Sequence, residues 1–320
     1  MKTLLMFPGQ GSQYLGMCND IYKSSFYAKK LFQKTKDILQ IDFADIIFNT
    51  NNEILSKSYI TQPAIALVSV SIYLTLIERY KANIDKLNIQ GVIGHSLGEY
   101  SALCVAKYLP FEEMIKFLQK RGQAMYDCAK ENTGMCAIIG CDKERIQTSI
   151  NNIMAKCLVI ANTNSKEQIV VSGYLDDIKK LKTELSTKAK RMIDLSVSGA
   201  FHSPLMKTAQ DSLQDDIASL KLLPSNIAIL QNYSGKFETD IKTIQQNLKQ
   251  QITSPILFYE NIQTAIQCGF DTFIEIGPKN VLSSLVKRCI TKEQLDNVNI
   301  YKIENLEDVN NFQMFLDNIQ

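Results

Sequence analysis

The chain opens on an unbroken run of strand-forming residues, Thr3-Leu4-Leu5-Met6-Phe7, that stops at Pro8-Gly9. A run this short and this uniformly apolar predicts a strand covered on both faces. Farther on the period changes. Apolar residues over 22–39 and 64–80 recur at three- and four-residue intervals, which predicts helices with one buried stripe. Gly91-Val92-Ile93-Gly94 predicts a second short strand. A helix is predicted after it over Glu99–Lys107, ended by Pro110, and another over Phe111–Cys128.

From residue 129 the elements shorten. Strands are predicted over Met135–Gly140, Leu158–Ala161, Gln168–Ser172 and Ala189–Leu195, with a turn at Asn162-Thr163-Asn164-Ser165. Helices are predicted over Lys143–Ala155 and Leu175–Thr187. Two βαβ-like units in so short a stretch predict a small ferredoxin-like module. Longer helices resume near Val197, and a late strand, Thr272–Ile276, stops at Gly277-Pro278. A chain of 320 residues is long for one core. The expected fold class is α/β, with a large domain made of residues 1–128 and 197–320 and a small α+β domain inserted over 129–196.

Composition removes several function classes. Hydrophobic residues make up 45% and charged residues 21%, ordinary for a globular protein. The net charge of +2 gives a weak overall field, so neither nucleic acid nor an anionic membrane is an expected partner. Locally, Lys179, Lys180, Lys182, Lys188, Lys190 and Arg191 face Glu184 alone, which reads either as a solvated helix face or as a landing site for an acidic partner. The eight cysteines include no CxxC pair and only two histidines are present, so no metal site is expected. Thiols in apolar runs fit a reducing cytoplasm. The first apolar run is too short for a signal-peptide core, and no stretch approaches the ~20 apolar residues of a membrane span.

The candidate chemistry begins at Gly94-His95-Ser96-Leu97-Gly98. A serine between a strand and a helix in a G-x-S-x-G pattern can sit on a strained turn with its hydroxyl exposed, where the helix N-terminus favours developing negative charge. The alternative is a Gly-Ser turn with no chemical role. A serine nucleophile needs a base, and His95 adjoins it too closely to turn back. His202, in Gly199-Ala200-Phe201-His202-Ser203-Pro204, is the remaining histidine, against the reading of a histidine hydrogen-bonded within its loop. Backbone N–H of Leu97 can form one half of an oxyanion hole. The loop Phe7-Pro8-Gly9-Gln10-Gly11-Ser12-Gln13 is neither a P-loop nor a G-x-G-x-x-G. It is a plain turn or the donor of the second N–H, from Gln10.

These pieces together resemble the malonyl-CoA:acyl carrier protein transacylases, the acyltransferases of fatty-acid and polyketide synthesis. The resemblance runs over essentially the whole chain: FPGQGSQ at 7–13, GHSLGEY at 94–100, RGQAM at 121–125, TGMCAIIG at 133–140, NTNSKEQIVVSG at 162–173, SGAFHSPLM at 198–206 and IEIGP at 274–278. It implies a hydrolase-like α/β domain carrying a ferredoxin-like insert, with the site between them. It implies Ser96 as the acylated nucleophile, His202 as its base, and Gln10 and Leu97 as the oxyanion donors. Arg121 matches the arginine that pairs with the malonyl carboxylate. Taken alone, a helix arginine beside Lys120 reads as a solvated charge; a guanidinium is also the natural partner of a diacid's free carboxylate. Gln251 matches the residue whose backbone carbonyl holds the histidine, and Asn162 and Asn164 match a polar loop near the site. Phe201-His202-Ser203 looks like the malonyl type. Ser254 departs from the Asn common before the proline.

The expected activity is transfer of malonyl from malonyl-CoA to the phosphopantetheine thiol of acyl carrier protein, through a malonyl-serine ester, for fatty-acid elongation. No permanently bound cofactor and no metal is expected, and a cytoplasmic monomer is. A Ser-His dyad suffices, because a thioester is already activated. The rival readings are a serine thioesterase or hydrolase of acyl-CoA, a stand-alone polyketide acyltransferase, and a catalytically silent interaction subunit.

Overall fold

The computed structural model describes residues 1–81 and 83–318. Among these residues are ten strands: β1 (Thr3–Phe7), β2 (Ile89–Gly94), β3 (Thr133–Ile139), β4 (Leu158–Ser165), β5 (Gln168–Tyr174), β6 (Arg191–Asp194), β7 (Ala228–Leu230), β8 (Phe237–Glu238), β9 (Thr272–Ile276) and β10 (Asn299–Ile303). They form two sheets, one of order β10-β9-β1-β2-β7-β8 and one of order β4-β5-β3-β6. The first is parallel except at its β7–β8 edge. The second is antiparallel throughout. The protein is therefore a mixed α/β structure.

Alternation along β1 shows how the larger sheet is covered. Leu5 and Phe7 point to one side, into a core shared with Val92, Ile274 and the helix Ser58–Tyr80. Leu4 and Met6 point to the other, against Ile93, Phe273 and the helices Phe258–Gln267 and Val281–Cys289. Both faces are dry, as the apolar run requires.

The second sheet arises from the order β3, helix Lys143–Asn152, β4, β5, helix Leu175–Glu184, β6. Ile138, Ile160, Ile169 and Val171 pack on one face with Ile146, Ile150, Ile178 and Leu181 of the two helices. The opposite face sends Met135, Ala137, Ala161 and Val170 into the core of the larger sheet. A backbone bridge ties the units together: Ile256 N–H donates to Ala161 O at 2.8 Å, and Thr163 N–H donates to Ile256 O at 3.0 Å.

Several sequence expectations are corrected. The predicted helix over 22–39 is two helices, Asn19–Ser24 and Phe26–Leu39, separated by Ser25, whose Oγ caps the second by accepting from Ala28 N–H. The turn expected at 162–165 is part of β4; the β5 partner and the Ile256 bridge satisfy a backbone that Asn and Ser would otherwise bend. The helix Ser58–Tyr80 begins six residues before the predicted start and, contrary to expectation, is long and apolar enough to cross a membrane. Here it is buried at the centre of the protein core. The basic stretch is largely paired: Lys180 with Asp177, Lys182 with Asp194, Lys188 with Glu184 and Lys190 with Glu167. Such exposed pairs make a solvated face.

Candidate active site

β2 ends at Gly94 and the next helix, Gly98–Val105, begins at once, so the chain must reverse within His95-Ser96-Leu97. Only glycine fits on either side of that bend. A Cβ on Gly94 would lie 1.9 Å from the carbonyl carbon of Gly98, and one on Gly98 would lie 2.1 Å from the Phe7 oxygen. Ser96 absorbs the curvature with φ of 53°, a left-handed conformation that costs a serine free energy. Asn232 fastens the bend, accepting from Ser96 N–H at 2.7 Å and donating to Gly94 O at 2.6 Å.

His202 reaches this serine from a loop in which it too has a left-handed φ, 57°. Its Nε2 lies 2.8 Å from Ser96 Oγ and its Nδ1 2.9 Å from the carbonyl oxygen of Gln251. A carbonyl only accepts, which puts the ring proton on Nδ1 and leaves a lone pair on Nε2 for the serine hydroxyl. Burial, and after it the Arg121 cation, hold His202 down at about 3, so the ring is neutral near pH 7. The group orienting the imidazole is thus a backbone carbonyl, where a Ser-His-Asp triad has a carboxylate. His95 turns away from the serine, its Nε2 lying 3.0 Å from Asn164 Oδ1.

Arg121 lies on the helix Phe111–Cys128 and is 1% exposed. It reaches the centre because that helix presses against Ser58 at Gly122, where a Cβ would lie 2.5 Å from the Ser58 oxygen. Nη1 donates to Gln62 Oε1 at 2.7 Å; Nη2 donates to Gln251 Oε1 at 2.9 Å and Ser96 Oγ at 3.2 Å. These acceptors are all neutral. Nε has no partner among the described residues, and the guanidinium carbon lies 5.5 Å from the centre of the Tyr100 ring. Burial lowers the Arg121 pKa, but a guanidinium stays protonated. A buried cation that bonds only to neutral acceptors and keeps a spare N–H suits an anionic ligand.

Gln251 joins these parts. Besides holding His202 and Arg121, its Nε2 donates to Ser96 O at 3.1 Å and to Glu99 Oε2 at 2.6 Å. Glu99, 1% exposed, also accepts from Gln231 Nε2 at 3.1 Å and Asn232 N–H at 3.3 Å. Burial pushes its carboxyl up to about 7 against the pull of these donors and of Arg121.

Ser96, His202, Arg121, Gln10, Leu97 and Asn162 line one cavity of about 70 Å³, walled by Met125, Met135, Leu195 and Phe201. The N–H groups of Gln10 and Leu97 donate to no acceptor among the described residues. Asn162 Oδ1 is buried there without a partner among the described residues. Asn164 holds His95 rather than lining the cavity, and Gln251 lies behind Arg121 and His202. A larger hollow of about 710 Å³ beside Lys166, Lys190, Arg191 and Arg288 touches neither Ser96 nor His202, and one of about 340 Å³ beside Thr253 and Pro255 reaches His202 but not Ser96.

Three contributors went unassigned in the sequence: Gln62, Glu99 and Asn232. Glu99 reads there as an ordinary acid in a first helical turn. Its burial, and the partners that Gln62 and Asn232 find, come from contacts across 59 to 138 residues.

Comparison with known proteins places the chain in a family. The acyl transferase domain family matches residues 4–319. The Malonyl CoA-acyl carrier protein transacylase of Staphylococcus aureus (strain MRSA252) is 35% identical over 312 residues, 96% of this chain and 97% of that protein. The crystal structure of acyl-carrier-protein-S-malonyltransferase from Bartonella henselae superposes with a TM-score of 0.91 at 30% identity, covering 99% of this chain and 100% of that one. A type II PKS acyl-carrier protein in complex with its malonyl-transacylase contributes a second similar structure, with a TM-score of 0.90 at 29% identity over 97% and 98% of the two chains. The chain belongs to the acyl transferase domain family, among its malonyl CoA-acyl carrier protein transacylases.

Proposed function

We propose that this protein transfers malonyl from malonyl-CoA to the phosphopantetheine thiol of acyl carrier protein through an ester on Ser96. The observation that carries the proposal is the meeting, at one hydroxyl, of a base at 2.8 Å and a buried guanidinium at 3.2 Å. The base makes the hydroxyl a nucleophile. The guanidinium offers a fixed partner to a substrate with a free carboxylate, which malonyl has and acetyl lacks.

His202 Nε2 takes the hydroxyl proton as Ser96 Oγ attacks the thioester carbonyl. The N–H groups of Gln10 and Leu97, free of other acceptors, receive the oxyanion. The carbon–sulfur bond breaks, and coenzyme A leaves with the proton that His202 held. The thiol of acyl carrier protein then enters and gives its proton to His202 as its sulfur attacks the ester; the carbon–oxygen bond breaks and His202 returns that proton to Ser96 Oγ. Gln251 keeps the imidazole in the required tautomer. A carboxylate paired with Arg121 also offsets the charge that depresses His202, so the right substrate strengthens its own base.

We read residues 129–196 as a ferredoxin-like insert and residues 1–128 with 197–320 as a hydrolase-like catalytic domain. The β-α-β-β-α-β order and the β4-β5-β3-β6 sheet support this reading. The related carrier-protein complex supports acyl carrier protein as partner. We read the protein as a monomer, and its eight free thiols suit the cytoplasm.

Intact-mass analysis after mixing with malonyl-CoA tests the proposal. One malonyl adduct is expected, discharged by holo acyl carrier protein and absent in Ser96→Ala. Release of free malonate at the same rate with and without the carrier would instead assign a hydrolase.

A further inference from the structure

We propose that Glu99 is a positioning residue for acid recognition: its carboxylate decides which end of the Gln251 amide faces Arg121, and so holds the guanidinium ready for the substrate's carboxylate. This rests on the malonyl-transfer reading above.

A glutamine amide has two ends of nearly equal shape, one an acceptor and one a donor, so its neighbours choose its orientation. Gln251 stands between Arg121, which only donates, and Glu99, which when ionised only accepts. The observed contacts follow that rule, with Oε1 on Arg121 Nη2 at 2.9 Å and Nε2 on Glu99 Oε2 at 2.6 Å. The remaining Nε2 hydrogen goes to Ser96 O at 3.1 Å. Glu99 is prepared in turn. Gln231 Nε2 and Asn232 N–H donate to it, and Gln231 is itself oriented by Asn247 Nδ2, 2.7 Å from its Oε1. All the groups that bond to Glu99 are donors, so the surroundings fit an ionised carboxylate although the side chain is buried.

Protonation would undo this order. A neutral Glu99 carries an O–H in need of an acceptor, and turning the Gln251 amide supplies one. The amide NH₂ would then face Arg121, donor against donor, and the guanidinium would lose its support. The charged or titratable groups facing Glu99 are Arg121, from the helix Phe111–Cys128, and Tyr100, from its own helix; the segment after β7 and the helix Ile241–Gln251 present amides. Burial raises the Glu99 carboxyl to about 7 and leaves His202 neutral down to about 3, so the two groups titrate in separate ranges.

The test is single-turnover malonylation of Ser96, read by intact mass against malonyl-CoA concentration from about pH 5 to pH 9. In the wild type, the half-saturating concentration should rise about tenfold as pH falls through about 7, with little change in the rate at saturation. Glu99→Gln should show the raised value at every pH and no limb near 7. Arg121→Ala, which lacks the group being held, should also lack the limb. Gln231→Met removes one donor to the carboxylate and should move the limb up by about one pH unit, so the test remains readable if Glu99→Gln does not fold. A flat wild-type profile, a limb retained in Glu99→Gln or Arg121→Ala, or an unmoved limb in Gln231→Met would overturn the assignment of Glu99. Absence of the malonyl ester from the wild type at every pH would overturn the activity itself.

Discussion

At the scale of single residues, the site depends on charges kept out of water. Arg121 has neutral acceptors in the free protein, and on the proposed reading a ligand carboxylate is its charged partner. Arg121→Ala should therefore lower kcat/KM for malonyl-CoA by about two to three orders of magnitude, as expected when one partner of a buried charge pair is lost, and much less for acetyl-CoA. An unchanged preference between the two thioesters would refute the pairing. His202 and Glu99 also make stability depend on pH, with opposite signs. His202 falls from 6.5 to about 3 on folding, so the unfolded chain binds more protons in that window and stability declines as pH drops from 6.5 towards 3. Glu99 rises from 4.5 to about 7, so the folded chain binds more protons and stability declines as pH climbs from 4.5 to 7. Urea unfolding across this range should show His202→Gln gaining on the wild type as pH falls below 6.5. Glu99→Gln should gain from pH 4.5 to 7 and then level off.

At the scale of elements, the elbow is set by what its glycines leave out. Placing a methyl group on Gly98 drives it into the carbonyl of Phe7, which belongs to a buried strand and cannot move aside. Gly98→Ala should cost at least about 3 kcal/mol by chemical denaturation and remove acylation, whereas removing the Ser96 hydroxyl should leave stability nearly unchanged. This bend was legible in the sequence because a five-residue motif and its flanking elements are local. Phe111–Cys128 and Thr272–Ile276 were legible too, through strong periodicity in one case and a short apolar run before Gly-Pro in the other. Asn162 to Ser165 misled because their turn preference is local while their strand pairing is not. Ala228–Leu230 has three residues, too few for a pattern, and Asn299–Ile303 has its apolar run broken by Lys302 at the sheet edge; both exist through their neighbours in the sheet. Glu99 was legible as a residue but not as a buried one, since burial of its helix depends on elements far along the chain.

At the scale of the whole molecule, the reactive cavity is a seam. Met135 and Leu195 reach it from the smaller sheet and its exit, whereas Ser96 and Arg121 stand on the larger unit. Met135→Ala, alone or with Leu195→Ala, should widen the space for the acyl group and raise the ratio of methylmalonyl to malonyl transfer by about tenfold or more, measured in competition. A diacid requirement should persist in both variants, because the guanidinium is untouched. The same seam shows where change is possible. Gln251 bonds with one residue to the imidazole, the guanidinium, the elbow and the buried acid. Recognition of the substrate's charge and readiness of the nucleophile therefore share a joint, and a replacement there disturbs both together. A change of acyl size can therefore be confined to the walls of the chamber, whereas a change of acyl charge made through Gln251 would also shift the imidazole and the elbow.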